Sequence, residues 1–252
     1  MSSNVVRTKL ENQHSESEQQ ARTDLAACYR LAHRFGFSEI IWNHITARIP
    51  GPENHFLLHQ FGFRYDEVTA SNLLKVDQEG RVIDGADDIN VTGFVIHSGI
   101  YTARKDVACV MHTHGPAAVA VSALERGLVP MAQGAMMFYD NVAYHDYEGI
   151  SADVAERERL IANLGDKCAM ILRNHGVLTV GRSVAEAFML MYYLEDACRL
   201  QMQVLSSGEK PRLPPPEVCQ RTREQYKECW PGKYEWPALI RLLDKEDPSY
   251  RD

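Results

Sequence analysis

The sequence lacks the features that mark a membrane, secreted or nucleic-acid-binding protein. No apolar run approaches the ~20 residues needed to span a bilayer, and the polar N-terminus, MSSNVVRTKLENQHSESEQQ, has no apolar core of a secretory signal. Positive charge is not in excess, because the formal net charge is −7 over 252 residues. These absences predict a cytoplasmic protein with neither a nucleic acid nor a membrane as its partner.

Paired cysteines and internal repeats are also absent. The six cysteines are scattered and form no CxxC pair, which is typical of free thiols in a chain without a secretory signal. Ordinary contents of hydrophobic (45%) and charged (24%) residues indicate a globular protein with a substantial core. We expect a polar leader over residues 1–20, one α/β domain over 21–208, and a Pro-rich linker with a C-terminal segment over 209–252. The last segment is expected to pack on the domain or on a neighbouring subunit.

Hydrophobic periodicity predicts helices alternating with strands. QARTDLAACYRLAHRFGF has helical spacing, and IIWNHITARIPG alternates like a strand. TGFVIHSGIYTARKDV is predicted to be a helix with Thr92 as its N-cap. CAMILRNHGVLTVG is predicted to be a buried strand that is interrupted at residues 174–176. This order of elements is typical of an α/β fold.

Two histidines two residues apart follow an apolar strand in VACVMHTHGPA. Side chains alternate between the faces of a strand, so His112 and His114 point the same way. His175, in RNHG, also ends an apolar stretch and precedes a glycine. Three neutral imidazoles suit a divalent first-row metal, most commonly zinc, with a position left for water or substrate. Spacing alone leaves open whether His175 meets the other two.

Three segments resemble the class II aldolase/adducin family. They are IIWNHITARIPG, DVACVMHTHGPAAVAVSAL and AMILRNHGVLTVG, and the similarity runs from about residue 20 to 205 in matching order. The resemblance implies a three-layer α/β/α sandwich around a largely antiparallel sheet. It also implies a homotetramer with active sites at the subunit interfaces and a small-molecule substrate.

The same resemblance assigns the site residues. His112, His114 and His175 correspond to the three metal ligands, and Asn43 corresponds to the active-site asparagine. Zinc is the expected ion, with Fe²⁺, Mn²⁺ and Co²⁺ as alternatives, because sequence does not separate them.

The departures from the aldolase pattern indicate the adducin-like branch. The acid/base glutamate of the aldolases is replaced by Gly93, and Val91–Thr92 stands near the position of a phosphate-binding serine pair. Thr92, Gly93 and His59, which lies in the loop that handles phosphate in the aldolases, are the candidate substrate-binding residues. The aldolase tyrosine has no clear counterpart, so the candidate acid/base groups beside Asn43 are Tyr139 and His145, with Tyr144 and Glu148 as further options.

A three-histidine divalent ion can act as a Lewis acid without the glutamate. It would stabilise the enolate shared by retro-aldol cleavage and decarboxylation. Loss of CO2 itself generates the carbanion, so decarboxylation depends less on a base. We therefore expect a metal-dependent carbon–carbon lyase of a small oxygenated carboxylate or carbonyl compound. Two alternatives stay open: a non-heme iron oxygenase on the same fold, and a non-catalytic adducin-like binding or assembly protein.

Overall fold

Helices and strands alternate along the chain and build one central sheet. A computed structural model describes residues 14–51, 54–85, 89, 91–149, 154–229 and 231–252. The strands are β1 (His44–Arg48), β2 (Phe56–Leu58), β3 (Leu74–Val76), β4 (Val82–Asp84), β5 (Cys109–Thr113), β6 (Val142–His145), β7 (Ala169–Leu172) and β8 (Gly176–Gly181). The helices are α1 (Glu16–Arg34), α2 (Val91–Ala103), α3 (Pro116–Ser122), α4 (Gln133–Met136), α5 (Val154–Leu164), α6 (Val184–Ser206), α7 (Pro216–Cys229) and α8 (Glu235–Glu246). Among the described helices none combines the length and apolarity needed to cross a membrane.

The sheet is largely antiparallel, as predicted. Its eight strands lie in the order β4-β3-β2-β1-β5-β8-β7-β6. The β6–β7 pair is parallel and the other neighbouring pairs are antiparallel. At the centre, β5 pairs with β1 on one side and with β8 on the other, so that His112 lies opposite His44 and Leu178.

Two apolar layers cover the sheet and confirm the three-layer sandwich. One layer joins α1 and α6 to the sheet and includes Met111. The other joins α2 and α5 to the opposite face and includes Val110. Since side chains alternate along a strand, His112 projects on the α2/α5 face together with Val110.

The segment predicted as one interrupted strand is a β-hairpin. β7 and β8 are antiparallel partners, with Leu172 opposite Gly176, and residues 173–175 form the turn. Asn174 adopts φ 55°, a left-handed conformation that asparagine tolerates better than most residues. The His175 N–H donates to the Leu172 carbonyl oxygen at 3.1 Å. The prediction of one interrupted strand was wrong, because the three polar residues 173–175 form a tight turn at which the chain reverses direction.

Two helix starts differ from the sequence expectation. α1 begins at Glu16, where the Ser15 hydroxyl accepts a hydrogen bond from the Glu18 N–H. Residues 16–20, assigned above to the leader, are therefore helical. α2 begins at Val91, so Thr92 lies in its first turn rather than at the N-cap; the Thr92 side chain lies outside the described part of the chain.

The C-terminal segment packs on its own domain. Trp236 of α8 joins the apolar layer of α1 and α6, and its indole N–H donates to Asp24 at 3.3 Å. The Ala70 N–H donates to the Tyr250 carbonyl oxygen at 2.9 Å. These contacts hold residues 231–252 against α1 and the loop before β3.

Arg22 provides a test of how helix α1 is anchored. It is 1% exposed and donates to Glu18 at 3.1 Å, to Asp84 at 3.0 Å and to the Leu73 carbonyl oxygen at 2.8 Å. Arg22→Met should lower the free energy of unfolding by about 3 kcal/mol, because it removes the buried guanidinium that donates to Glu18, Asp84 and the Leu73 carbonyl oxygen. Urea denaturation would measure this. The control is Arg34→Met, which breaks an exposed pair with Glu246 and should cost much less; equal losses would contradict the interpretation.

Candidate metal centre

Three imidazoles meet at one end of the central strands. His112 is in β5, His114 follows that strand, and His175 lies in the β7–β8 turn. Pairing of β5 with β8 brings this turn beside the end of β5. One ring nitrogen from each histidine lies within 4.8 Å of the other two, and the ring centroids are 4.8–4.9 Å apart. The structure thus answers the question that spacing left open, since His175 meets the other two rings.

The hydrogen bonds of two rings orient their free nitrogens toward a common point. His112 Nδ1 lies 3.0 Å from the Val177 carbonyl oxygen, and His114 Nδ1 lies 2.6 Å from a carboxylate oxygen of Glu39. Both partners accept, so both Nδ1 atoms carry a hydrogen, and the Nε2 atoms are the ring nitrogens left for a ligand bond. These two Nε2 atoms are 3.0 Å apart. With a nitrogen of His175 they form a set of three imidazole donors around one point, which fits a divalent metal ion.

Burial keeps two of these imidazoles in the form that binds metal. Desolvation, with the neighbouring histidines adding to it, lowers the pKa of His112 well below its ordinary value. Desolvation also lowers the pKa of His175 to about 4. Both rings are therefore neutral at pH 7, and a metal ion need not displace a proton from them.

The three imidazoles open into a cavity of about 460 Å³. Asn43 lines it, is 3% exposed, and has φ 71°. Neither its amide oxygen nor its amide nitrogen has a hydrogen-bond partner among the described residues. Buried polar atoms are usually paired, so this amide is available to a bound ligand. Most of the remaining wall is apolar and consists of Trp42, Ile96, Leu160, Leu172 and Leu178, with Tyr147 beside them.

Gly93 lines the same cavity and is pressed against His44. A Cβ atom at position 93 would lie 2.3 Å from Cδ2 of the His44 ring. Only glycine fits that approach without a shift of the ring. A glutamate at this position, as in the aldolases that the sequence resembles, would collide with His44.

His59 lies outside the cavity lining. It is 2% exposed and is packed under α1, where its Nδ1 is 2.9 Å from the Tyr29 hydroxyl. Burial lowers the pKa of His59 to about 4. Its Nε2 has no hydrogen-bond partner among the described residues.

Tyr139 and His145 do not line the cavity of the single chain. Tyr139 follows α4, and its backbone N–H donates to Met136. His145 of β6 contacts Asn163 through Nδ1 at 2.8 Å, and its Nε2 lies 3.6 Å from Glu156. Their assignment as acid/base groups stays a prediction.

Sequence reasoning missed three residues of this site. Glu39 holds His114, Tyr147 lies over His175 with a ring-centroid distance of 6.3 Å, and His44 faces Gly93. No local pattern singles out Glu39 or Tyr147, because both lie in loops. Strand alternation puts His44 on the face opposite the candidate residue Asn43, and for that reason the sequence favours a structural role for His44. The signal that could have found it is that His44 and Thr46 share one face of β1.

Loss of two ligands should abolish metal binding. His112→Ala combined with His114→Ala leaves one imidazole, which does not hold a divalent ion tightly. After dialysis against zinc, elemental analysis should find stoichiometric metal in the wild type and less than a tenth of it in the double variant. His33→Ala is the control, because His33 is an exposed residue of α1 bonded to Ser38. Full metal content in the double variant would refute the site.

The contact between Gly93 and His44 can be tested by a double-mutant cycle. Gly93→Ala should lower the free energy of unfolding by about 1–3 kcal/mol through overpacking. His44→Ala removes the obstructing ring, so most of that loss should vanish when the two changes are combined. Denaturant titration measures both values. Additive losses would contradict the close approach.

Comparison with known proteins identifies the family. The Class II Aldolase and Adducin N-terminal domain matches residues 23–202. The crystal structure of an aldolase II superfamily protein from Pseudomonas syringae superposes with a TM-score of 0.90 at 45% identity, covering 96% of this chain and 99% of that one. L-fuculose 1-phosphate aldolase from Glaciozyma antarctica PI12 superposes with a TM-score of 0.84 at 28% identity, covering 93% of each chain.

The adducins provide the third similarity. Alpha-adducin of Mus musculus is 41% identical over 92% of this chain, which corresponds to 34% of the adducin. The present chain therefore spans about a third of the adducin's length. The chain belongs to the class II aldolase/adducin family.

Proposed function

We propose that the protein is a divalent-metal-dependent carbon–carbon lyase that acts on a small oxygenated carboxylate or carbonyl compound. The observation that carries this proposal is the convergence of three imidazoles at an open cavity. A divalent ion held there, zinc being our first choice, supplies Lewis acidity that stabilises negative charge developing on a substrate oxygen.

The chain's own residues position the ligands and the substrate. The Val177 carbonyl and the Glu39 carboxylate hold the rings of His112 and His114 through their Nδ1 atoms. The unpartnered amide of Asn43 is suited to orient a substrate oxygen. The apolar wall excludes water from the bound compound, which strengthens each of these polar contacts.

Gly93 favours decarboxylation over aldol cleavage. In a decarboxylation the bond between the substrate and its carboxyl carbon breaks, and CO2 leaves. The electron pair of that bond stays on the substrate until the carbon is protonated. No base is needed to start this reaction. Glycine at position 93 supplies none, and His44 fills the adjacent space.

A second candidate function is non-catalytic binding or assembly. The 41% identity to alpha-adducin favours it, as does the replacement of the aldolase glutamate by Gly93. In that case the three histidines would hold a structural ion.

We further propose that the chain works as a cytoplasmic homotetramer with the cavity near a subunit interface. Ile40 is 72% exposed and Trp42, which lines the cavity, is 52% exposed. Exposed apolar side chains at one place favour contact with another subunit. Light scattering after size exclusion tests the assembly, and a monomeric mass would contradict it.

The lyase proposal is tested by product release from metal-loaded protein. Zinc- and iron-loaded samples are incubated with 3-oxo acids, hydroxy-aromatic acids and 4-hydroxy-2-oxo acids, and CO2, pyruvate and O2 consumption are measured. We expect release of CO2 or pyruvate without O2 uptake, and at least a roughly 100-fold loss of rate after chelation or in the His112→Ala/His114→Ala variant.

The other outcomes separate the remaining functions. O2 uptake confined to iron-loaded protein would replace the lyase by an oxygenase. Stoichiometric metal without turnover of any of these compounds would favour the assembly function. His33→Ala should keep the wild-type rate in every case.

A further inference from the structure

A chain of hydrogen bonds runs behind the cavity from His44 into the protein. His44 Nδ1 lies 3.0 Å from His97 Nε2, and His97 Nδ1 lies 2.8 Å from the Thr46 hydroxyl. The Thr46 hydroxyl lies 2.9 Å from the Tyr101 hydroxyl. All four side chains are buried. They link β1 to α2 beside the metal histidines.

The direction of these hydrogen bonds follows from their inner end. The single hydroxyl hydrogen of Tyr101 is donated to the Thr46 carbonyl oxygen at 2.9 Å. The Thr46 hydroxyl must therefore donate to the Tyr101 oxygen and accept from His97 Nδ1. Burial lowers the pKa of His97 well below its ordinary value, so the ring is neutral and its Nε2 accepts.

The same reasoning assigns the tautomer of His44. Because His97 Nε2 accepts, His44 Nδ1 carries the hydrogen and donates it. A neutral imidazole carries only this one ring hydrogen. Its second nitrogen, Nε2, therefore presents a lone pair.

The His44 ring lines the cavity and lies against Gly93. A Cβ built on Gly93 would overlap the ring, lying 2.3 Å from Cδ2 and 2.5 Å from both Cγ and Nε2. The His44 ring is also adjacent to His112, with a centroid distance of 5.0 Å. The ring thus borders the space where a ligand of the metal centre would lie.

We propose that His44 contacts the bound ligand, its Nε2 accepting a hydrogen bond from a ligand hydroxyl in the cavity. This inference rests on the proposed function only in taking the cavity as the substrate site. His97 is then a positioning residue, which keeps the hydrogen on Nδ1 of His44 and off Nε2. A keto oxygen at the same place would meet a lone pair and be disfavoured.

The cavity wall defines the rest of the ligand. Ile96, Leu160 and Leu178 line it, and none of its described lining residues is lysine or arginine. This surface suits an apolar body and offers no cationic side chain to a phosphate group. The ligand class is therefore a hydroxy acid with an apolar chain rather than a sugar phosphate.

The experiment compares two compounds that differ at one group. Zinc-loaded protein is titrated calorimetrically with 2-hydroxyhexanoate and with 2-oxohexanoate, which share chain length and carboxylate. We expect the wild type to bind the hydroxy acid about tenfold more tightly. His44→Phe keeps a ring of similar size without the acceptor, and the preference should fall to about twofold or less.

Two further variants separate contact from positioning. His97→Phe should weaken the preference for the hydroxy acid although His44 is still present, because the hydrogen is no longer held on Nδ1 of His44. His33→Phe, a change at an exposed histidine outside the cavity, should leave the tenfold preference intact. Zinc content and melting temperature are measured for each variant, so that only folded, loaded proteins are compared.

The outcomes distinguish this inference from the proposed lyase activity. Equal affinities in the wild type, a preference that survives in His44→Phe, or no binding of either compound would overturn the ligand contact, whatever the turnover. The expected affinity ratios together with absent turnover would support the contact and refute the lyase.

Discussion

The candidate site depends on the antiparallel pairing of β5 with β8. This pairing sets the end of β5, with His112 and His114, beside the turn that carries His175. Hydrogen bonds from Nδ1 to a carbonyl and to a carboxylate then aim two Nε2 atoms at each other across 3.0 Å. Together with His175 they form a set of three imidazole donors, which is why the arrangement indicates a candidate metal centre.

The second constraint is the close packing of Gly93 against His44. In the aldolases that the sequence resembles, the corresponding position carries a carboxylate. Here an imidazole from β1 takes that space, and only glycine leaves room for it. The carboxylate and the imidazole exclude each other sterically, so the change at position 93 and the orientation of His44 are one structural feature. A carboxylate beside the three histidines is thereby exchanged for an imidazole.

The sandwich supports the site from both faces of the sheet. The layer of α1 and α6 packs the face that carries Met111, and the layer of α2 and α5 packs the face that carries Val110. The metal histidines lie at the strand ends, where backbone can turn without breaking the ladder. The family therefore keeps one framework while the residues around the ion change, as expected when function resides in side chains placed on a shared fold.

The sequence by itself determined the class of fold, the family, and the three histidines, because strand alternation and local motifs are properties of neighbouring residues. His112 and His114 are two residues apart, so their convergence could be inferred from alternation alone. The meeting with His175 depended on strand pairing. The hairpin at residues 173–175, the carboxylate of Glu39 on His114 and the His44–Gly93 contact were decided by tertiary structure only. Each joins residues far apart in the chain, and no local pattern encodes which distant atoms become neighbours when the sheet forms.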